Sequence, residues 1–203
     1  MTTVFRITPE IVKARLARGA PLHDPRDLHM STIPAGARVT HAAVMVPIVS
    51  RPDALHVLLT QRTAHLSDHA GQISFPGGRV DAGDAGREDT ALRETEEEIG
   101  LARSRITLLG RLPEYEIPSG FRITPVVGWI EPPFDLVLDP FEVASAFEAP
   151  LSHFLDLQRY ERREYHFKGR HRHYMAIPFE GRYIWGATAG MLYSLARVLG
   201  SES

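Results

Sequence analysis

Hydrophobic residues in the first two thirds of the chain form short runs separated by turn residues, a pattern typical of partly buried β-strands. Such runs, rich in Val, Ile, Leu and Phe, predict strands in THAAVMVPIV (40–49), HVLLTQR (56–62) and QISFPGG (72–78). Two further strands are predicted in ITLLGRLPEYEI (106–117) and RITPVVGWI (122–130), with the turn PSG between them. The sequence therefore predicts a β-sheet as the centre of the fold.

Capping signals and helical spacing predict the helices. Thr8 followed by Pro9 predicts a helix that runs to about Arg18, with Gly19 closing it. A second helix is predicted over 84–99. Spacings of three and four residues place Leu92, Thr95 and Ile99 on one side of this helix, which is predicted to face the core.

The last third of the chain predicts a strand that runs into a short helix over 142–156, with Pro150 in the first helical turn. Residues 159–179 alternate across Lys168-Gly169, which predicts a hairpin with one basic face, and 183–199 predict a strand end and a helix. Strands before and after separate helices indicate an α/β fold, an α/β/α sandwich with a mixed β-sheet.

Composition indicates a single globular core. The 203 residues are 43% hydrophobic and 24% charged, and no linker or repeat divides them. We expect an N-terminal helix and connecting loop over 1–36, including a turn-rich stretch at 21–36, followed by one domain over 37–203. A net charge of -2 gives no general reason to expect a nucleic-acid or membrane partner.

The chain has no cysteine, which excludes disulfides and thiolate metal sites. Charges throughout the first 19 residues are unlike a signal peptide, and the longest apolar run, 42–49, is far short of the ~20 residues of a spanning helix. These features predict a cytoplasmic protein.

The stretch RETEEEIGL (93–101) concentrates like charges near the end of the second helix. Glu94, Glu97 and Glu98 stand at i, i+3 and i+4, so their carboxylates should converge on one face. Each like-charge pair costs roughly 0.2–0.5 kcal/mol in an isolated helix, and the helix dipole adds to this cost. A divalent cation such as Mg²⁺ would offset it, and Arg93 could orient Glu97 at i+4. The alternative is a solvated acidic face.

The same stretch, with Phe75-Pro76-Gly77-Gly78 before it, resembles the Nudix box, a loop-helix-loop unit that contains R-E-U-x-E-E-x-G-U with U aliphatic. Thr95 departs from this pattern at the first aliphatic position. Asp84 stands in place of the first Glu, with eight residues rather than seven before Arg93.

The upstream stretch LLTQRTAHLSDHAGQISFPGG (58–78) resembles the signature of the coenzyme A pyrophosphatase branch of this superfamily. The spacing fits, although Thr63 replaces the usual Ser or Ala and Ser67 replaces the usual Arg. Ser67 lacks a guanidinium that could bind phosphate. The resemblance extends over roughly 42–199.

The resemblance implies metal-dependent hydrolysis of the diphosphate of coenzyme A or acyl-CoA to 3',5'-ADP and (acyl-)4'-phosphopantetheine. The implied cofactor is Mg²⁺ or Mn²⁺, held by Glu94, Glu97, Glu98 and the Gly78 carbonyl. Arg93 is implied in catalysis beside the glutamates, and the general base is open between these glutamates, Glu114 and Glu116. The implied substrate-binding residues are Arg62, Gln72, Gly77, Gly78, Ser119, Gly120 and Phe121.

Other functions remain open at this point. The nearest is a Nudix enzyme for another nucleoside diphosphate derivative such as NADH, ADP-ribose or a nucleoside triphosphate, which Ser67 favours. A non-catalytic ligand-binding Nudix domain and an acidic calcium-binding structural protein are the others. The implied partner is a small-molecule nucleoside diphosphate, and a homodimer is left open. Neither nucleic acid nor membrane is expected, and the basic hairpin is interpreted as a solvated surface or subunit contact. His153 is expected on a short surface helix.

Overall fold

The fold is described from a computed structural model, which covers residues 7–19, 33, 36, 38–66, 69–167 and 170–200. Three features of the sequence interpretation lie outside these residues: Ser67, most of the connecting loop over 21–36, and the Lys168-Gly169 turn.

Groups of consecutive strands separate the helices along the described chain. The helices are α1 (Pro9–Arg18), α2 (Arg87–Ile99), α3 (Leu151–Leu155) and α4 (Ala187–Gly200). The strands are β1 (Thr40–Ser50), β2 (Leu55–Arg62), β3 (Ile73–Ser74), β4 (Gly77–Arg79), β5 (Ile106–Arg111), β6 (Tyr115–Glu116), β7 (Phe121–Ile130), β8 (Val143–Pro150), β9 (Glu161–Phe167), β10 (Arg170–Phe179) and β11 (Arg182–Trp185).

The larger sheet is mixed. Its main order is β3-β2-β1-β7-β5, with β4 also paired to β1, β6 to β7 and β8 to β2. β1 and β7 are parallel, while the other pairs are antiparallel. The last three strands form a separate antiparallel sheet in the order β11-β10-β9, as the predicted hairpin requires.

Hydrophobic side chains cover both faces of the larger sheet. Alternate residues of β1 point to opposite sides, so Val46 and Ile48 join a cluster with residues of α1, α3 and α4. Ala43 and Met45 join a second cluster with residues of α2. The predicted α/β/α sandwich with a mixed β-sheet is confirmed, and α2 packs on the sheet face opposite to α1, α3 and α4.

The first helix has the predicted bounds and caps. The Thr8 side chain accepts a hydrogen bond from the Ile11 N–H, and Gly19 follows the last residue with φ 77°. Val12 and Leu16 are buried in the larger cluster, and the helix packs on β5 and α4. α1 thus shares the core of the domain that follows it.

Two predicted strands are interrupted at prolines. The segment 72–78 forms β3 and β4, which pair with different neighbours, because the chain bends at Phe75-Pro76 and the Pro76 carbonyl accepts the Met45 N–H. The segment 106–117 is divided into β5 and β6, and Pro113 between them has no N–H to donate. Each break divides one predicted strand into two shorter strands and leaves the order of the strands along the chain unchanged.

Two helix starts differ from prediction. The second helix begins at Arg87 rather than at 84, because the Asp84 carboxylate accepts hydrogen bonds from the Asp81 N–H and the Thr90 hydroxyl and holds 81–86 as a loop. Pro150 ends β8 as the residue before α3, rather than lying in the first helical turn.

Candidate active site

The helix α2 presents an apolar side to the sheet and an acidic side to a loop. Thr95 and Ile99 are buried, and half-buried Leu92 packs against the same cluster, as predicted. The Thr95 hydroxyl donates to the Ala91 carbonyl at 2.6 Å, so threonine is accommodated at the usually aliphatic position. Gly100 ends the helix in the left-handed conformation, φ 68°.

Arg93 binds most of the acidic groups around α2. Its Nε and Nη2 donate to the two Asp84 carboxylate oxygens at 2.9 and 3.0 Å, and its Nη1 donates to Glu94 at 2.8 Å and to Glu97 at 2.9 Å. Nη2 also donates to the Arg79 carbonyl at 3.1 Å. The predicted contact of Arg93 with Glu97 is confirmed, and one cation offsets part of the like-charge repulsion.

Asp84 replaces the first glutamate of the Nudix box and is held as an anion. The Arg93 guanidinium keeps the pKa of the Asp84 carboxyl well below its usual range, and the carboxylate raises the pKa of Arg93 in turn. The Asp84 side chain is only 4% exposed. The ion pair with buried Asp84 therefore fixes the Arg93 side chain, which also contacts Glu94 and Glu97.

Glycines are required where β4 passes α2. A Cβ added to Gly78 would overlap the Glu94 carboxylate, and a Cβ added to Gly77 would overlap the backbone of Ala43 and Val44. Gly77 also has φ 156°, in the region that favours glycine. The strand can therefore approach the acidic helix closely only with this pair of glycines.

Glu98 is the buried carboxyl of the group, only 4% exposed. Burial raises its pKa to about 8, and the charges of Glu142 and Glu94 add to the increase, while Arg62 and the Gly77 N–H oppose it. Burial also raises the pKa of half-buried Glu94. Two carboxyls with raised pKa values and a neighbouring acid are typical of sites where a cation or proton is handled.

Arg62 reaches this group from the end of β2. Its Nη1 lies 3.9 Å from Glu98 Oε1, and its buried Nε has no hydrogen-bond partner among the described residues. A buried donor without a partner is costly, so this nitrogen is suited to an incoming oxygen ligand. Gln72, the other predicted residue of this segment, accepts the Arg62 backbone N–H at its carbonyl at 2.9 Å.

The chemistry of the donors fits a hard divalent cation. Carboxylate oxygens of Glu94, Glu97 and Glu98 and the carbonyl of Gly78 are the ligand types that Mg²⁺ and Mn²⁺ prefer. In the described part of the chain, however, no three Asp, Glu or His side chains are already gathered as a metal cluster. Glu97 is 59% exposed and bound to Arg93, so it would have to exchange that contact to bind a metal.

The predicted turn Ser119-Gly120-Phe121 lies at the start of β7 and beside β4. The Gly120 carbonyl accepts the Thr40 N–H at 2.8 Å, and the Arg79 guanidinium lies over the Phe121 ring, 5.3 Å from its centre. Ser119 is exposed. The structure therefore brings this turn next to Arg79, the residue after Gly78.

The two candidate bases after the box have different surroundings. Glu116 binds Arg122 at 2.7 Å and the Ile33 N–H at 3.2 Å, and these contacts lower its pKa. Glu114 is 49% exposed, lies 3.8 Å from Arg122 and accepts a hydrogen bond from Thr124. Glu116 is thus tied to a structural ion pair, whereas Glu114 is more accessible.

Glu142 is a functional candidate that sequence reasoning missed. It precedes β8, and its charge raises the pKa of both Glu94 and Glu98. The Thr63 N–H donates to its carbonyl at 3.0 Å, which joins this loop to the end of β2. No local motif marks this glutamate, because only the packing of the loop against β2 and α2 brings it near the other two.

Three described basic residues in or next to the C-terminal hairpin are matched by nearby acids. Arg163 binds Glu161, Arg159 binds Asp156, and His173 lies 3.2 Å from Glu164. His153 lies on α3, as expected, and its Nε2 is 2.9 Å from the Pro178 carbonyl oxygen. These pairs are consistent with a solvated face.

Comparisons with known proteins identify the family of the chain. The family described as the NUDIX domain matches residues 39–174. Over 159 residues the chain is 42% identical to a protein described as an uncharacterized Nudix hydrolase NudL in Escherichia coli K12, covering 78% of this chain and 82% of that protein. NudL of Yersinia enterocolitica is 43% identical over 158 residues, covering 77% and 80%.

Among solved structures, the Nudix hydrolase RenU of M. smegmatis is similar with a TM-score of 0.49 and 24% identity, covering 58% of this chain and 74% of that one. The family match and the NudL relatives show that the chain belongs to the Nudix superfamily. Nudix hydrolases act on phosphoanhydride bonds of nucleotide-derived small molecules and generally use divalent metal ions. In the described residues, no helix has the length and apolar character needed to span a membrane.

Proposed function

We propose that this Nudix protein hydrolyses the diphosphate of coenzyme A or acyl-CoA to 3',5'-ADP and (acyl-)4'-phosphopantetheine. The observation that carries the proposal is the position of Arg62. This residue belongs to the upstream stretch that resembles coenzyme A pyrophosphatases, and its guanidinium lies beside Glu98 of the Nudix helix with a buried Nε free of partners among the described residues.

We assign different roles to the residues around the diphosphate. Glu94, Glu97, Glu98 and the Gly78 carbonyl would hold Mg²⁺ or Mn²⁺, which when bound neutralises phosphate oxygens and lowers the pKa of a water. Arg93 positions Glu94 and Glu97 through its anchor on Asp84. Arg62 can donate to a phosphate oxygen as charge develops on it.

Hydrolysis requires a group that accepts the proton of the attacking water. The water oxygen forms a bond to one phosphorus while the bond from that phosphorus to the bridging oxygen breaks, and the proton passes to a base. Glu142, which lies near Glu94 and Glu98 but is not among the proposed metal ligands, is the candidate that the surroundings favour, and Glu98 is a candidate only in its ionised form. Glu94, Glu97, Glu114 and Glu116 complete the set of proposed bases.

A second candidate function is hydrolysis of another nucleoside diphosphate derivative. Ser67 favours it, since an arginine is usual there in the coenzyme A branch. The two functions are separated by incubating the protein with coenzyme A, acetyl-CoA, ADP-ribose, NADH and a nucleoside triphosphate, each with Mg²⁺ or Mn²⁺, and resolving the products. We expect 3',5'-ADP from coenzyme A at the highest kcat/KM. Cleavage of ADP-ribose with coenzyme A left intact would refute the proposal.

A further inference from the structure

A basic pocket lies at the start of β1 and the end of β4, next to the start of α2. It has a volume of about 500 Å³. We call it the arginine pocket, defined by Arg38, His41, Arg79 and Arg87, which line it with the backbone neighbours Val39, Thr40 and Val80. Arg38 and His41 lie outside the Nudix box and the upstream signature, while Arg79 and Arg87 lie within the box at positions where its pattern specifies no residue type.

The arginine pocket has an excess of positive charge. Within the described residues, Arg38, Arg79 and Arg87 form no ion pair with a carboxylate. The acids nearest in the chain lie beside other arginines: Asp81 and Asp84 beside Arg93, Glu88 beside Arg111, and Asp89 beside Arg103. Arg38 and Arg79 are exposed and Arg87 is half-buried. Three guanidinium groups without a carboxylate partner in the described chain, placed around one cavity, would attract an anion.

His41 adds a further polar group without a partner. Its Nδ1 is buried and has no hydrogen-bond partner among the described residues. Such nitrogens are normally satisfied in native proteins, and His41 lines the cavity, so a water or a ligand atom there would supply the missing partner. Imidazole and guanidinium groups together can donate several hydrogen bonds to a single phosphate.

Arg79 connects the pocket to the candidate active site. It directly follows Gly78 in β4, so the two residues are displaced by only about 3.3 Å along the strand and face opposite sides. Gly78 faces Glu94, while the Arg79 guanidinium lies over Phe121 and its carbonyl binds Arg93. The glycine that faces Glu94 and an arginine that lines the pocket are therefore consecutive residues of β4.

We propose that the arginine pocket binds a phosphomonoester of the substrate that is separate from the diphosphate being cleaved. The enzyme would then select nucleotides that carry a third phosphate, which in coenzyme A is the 3'-phosphate of the ribose. This inference rests on the proposed function. Arginine is suited to this role because its planar group binds phosphate oxygens in pairs and stays charged at every physiological pH.

The test compares coenzyme A with 3'-dephospho-coenzyme A, which differ only in this phosphate. We expect wild type to favour coenzyme A by about tenfold or more in kcat/KM, as one or two charge-assisted hydrogen bonds would give. Arg38→Met and Arg87→Met should each lower this ratio at least about threefold, and the double variant should bring it close to one. Methionine retains the length of the apolar stem, and thermal unfolding verifies the fold.

Two controls make the result specific. Arg18→Met removes an exposed arginine of α1 and should leave the ratio unchanged. Arg87→Lys keeps the charge and should retain part of the preference for coenzyme A. A wild-type ratio near one, or equal losses with both substrates in the arginine variants, would overturn the inference while leaving the proposed function intact.

A binding experiment separates the two proposals. The affinities of wild type for 3',5'-ADP and 5'-AMP are measured by calorimetry, which needs no turnover. We expect 3',5'-ADP to bind about tenfold more tightly, and the double variant to lose this difference. If coenzyme A is not cleaved but this difference is found, the pocket stands and the proposed function fails; equal affinities would refute the pocket.

Discussion

Arg93 and Asp84 are joined by two parallel hydrogen bonds, nine residues apart in the chain, across the boundary between the loop 81–86 and helix α2. The pair is largely buried, since the side chains are 18% and 4% exposed. Because the remaining Arg93 nitrogen binds Glu94 and Glu97, this ion pair determines where two proposed metal ligands lie.

Loss of the Asp84 charge should therefore destabilise the protein. We expect Asp84→Asn to lower the free energy of unfolding by about 2 kcal/mol, because a buried guanidinium loses charged hydrogen bonds. Urea unfolding measures the change. Asp81→Asn is the matched control: its carboxylate is 71% exposed and 3.8 Å from Arg93, so its effect should stay within about 0.5 kcal/mol. Equal effects of the two substitutions would contradict the role assigned to Asp84.

The same pair predicts a dependence of stability on pH. The pKa of Asp84 is lower in the folded chain than in the unfolded one, so below pH 4 the unfolded state binds more protons. The stabilisation by Asp84 is present above the unfolded pKa and is lost as pH falls through the folded pKa. The difference in unfolding free energy between wild type and Asp84→Asn should thus be constant from pH 5 to 7 and shrink below about pH 4. A difference that grows with acidification would disprove this assignment.

Glu97 provides a test of metal-dependent catalysis that spares the fold. Its side chain is 59% exposed, so Glu97→Gln should fold normally, yet we expect turnover of the substrate to fall by about 100-fold or more because a charged ligand is lost. Initial rates over a Mg²⁺ titration measure this. Glu96→Gln, which changes the exposed neighbour bound to Arg103, should retain activity. A fully active Glu97→Gln enzyme would argue against metal catalysis at α2.

The raised pKa of the Glu98 carboxyl predicts that metal binding releases protons. With a pKa of about 8, most of this carboxyl is protonated at pH 7 in the metal-free protein, and a cation binds only the ionised form. Calorimetric titration with Mg²⁺ or Mn²⁺ in buffers of different ionisation enthalpy should detect up to about one proton released per site at pH 7, and less at pH 9. Glu98→Gln should abolish the release. Metal binding without proton release in wild type would count against Glu98 as a ligand.

Gly78 allows a steric test of the contact between β4 and α2. An added methyl group overlaps the Glu94 carboxylate, so Gly78→Ala should displace that side chain and destabilise the protein by about 1–3 kcal/mol. We also expect the activity to fall by more than the decrease in the folded fraction of the protein would cause. Gly83→Ala has open space around the new Cβ and should leave both activity and melting temperature near wild type. Wild-type kinetics for Gly78→Ala would show that the close approach is not needed.

Local patterns sufficed to predict much of this protein. Thr8, Pro9 and Gly19 predicted α1 with its observed bounds, because capping and a proline at the first helical position act within one turn. The spacing of the glutamates on α2 and the reach of Arg93 to Glu97 also follow from helical geometry alone. The strand order required the fold itself, although the sandwich class with a mixed sheet followed from the order of elements.

The interactions that the sequence could not reveal join residues distant in the chain. Glu142 lies in a loop without a motif. The arginine pocket combines position 38, which precedes β1, with position 41 of β1, position 79 of β4 and position 87 of α2. The start of α2 at Arg87 depended on Asp84 binding Arg93 instead of continuing the helix. The sequence by itself determined which residue types each helix and strand presents, because those patterns are local. Only the tertiary structure decided which charges are buried together and which stay uncompensated, because burial and Coulomb energy depend on distances between elements that pair through long-range packing.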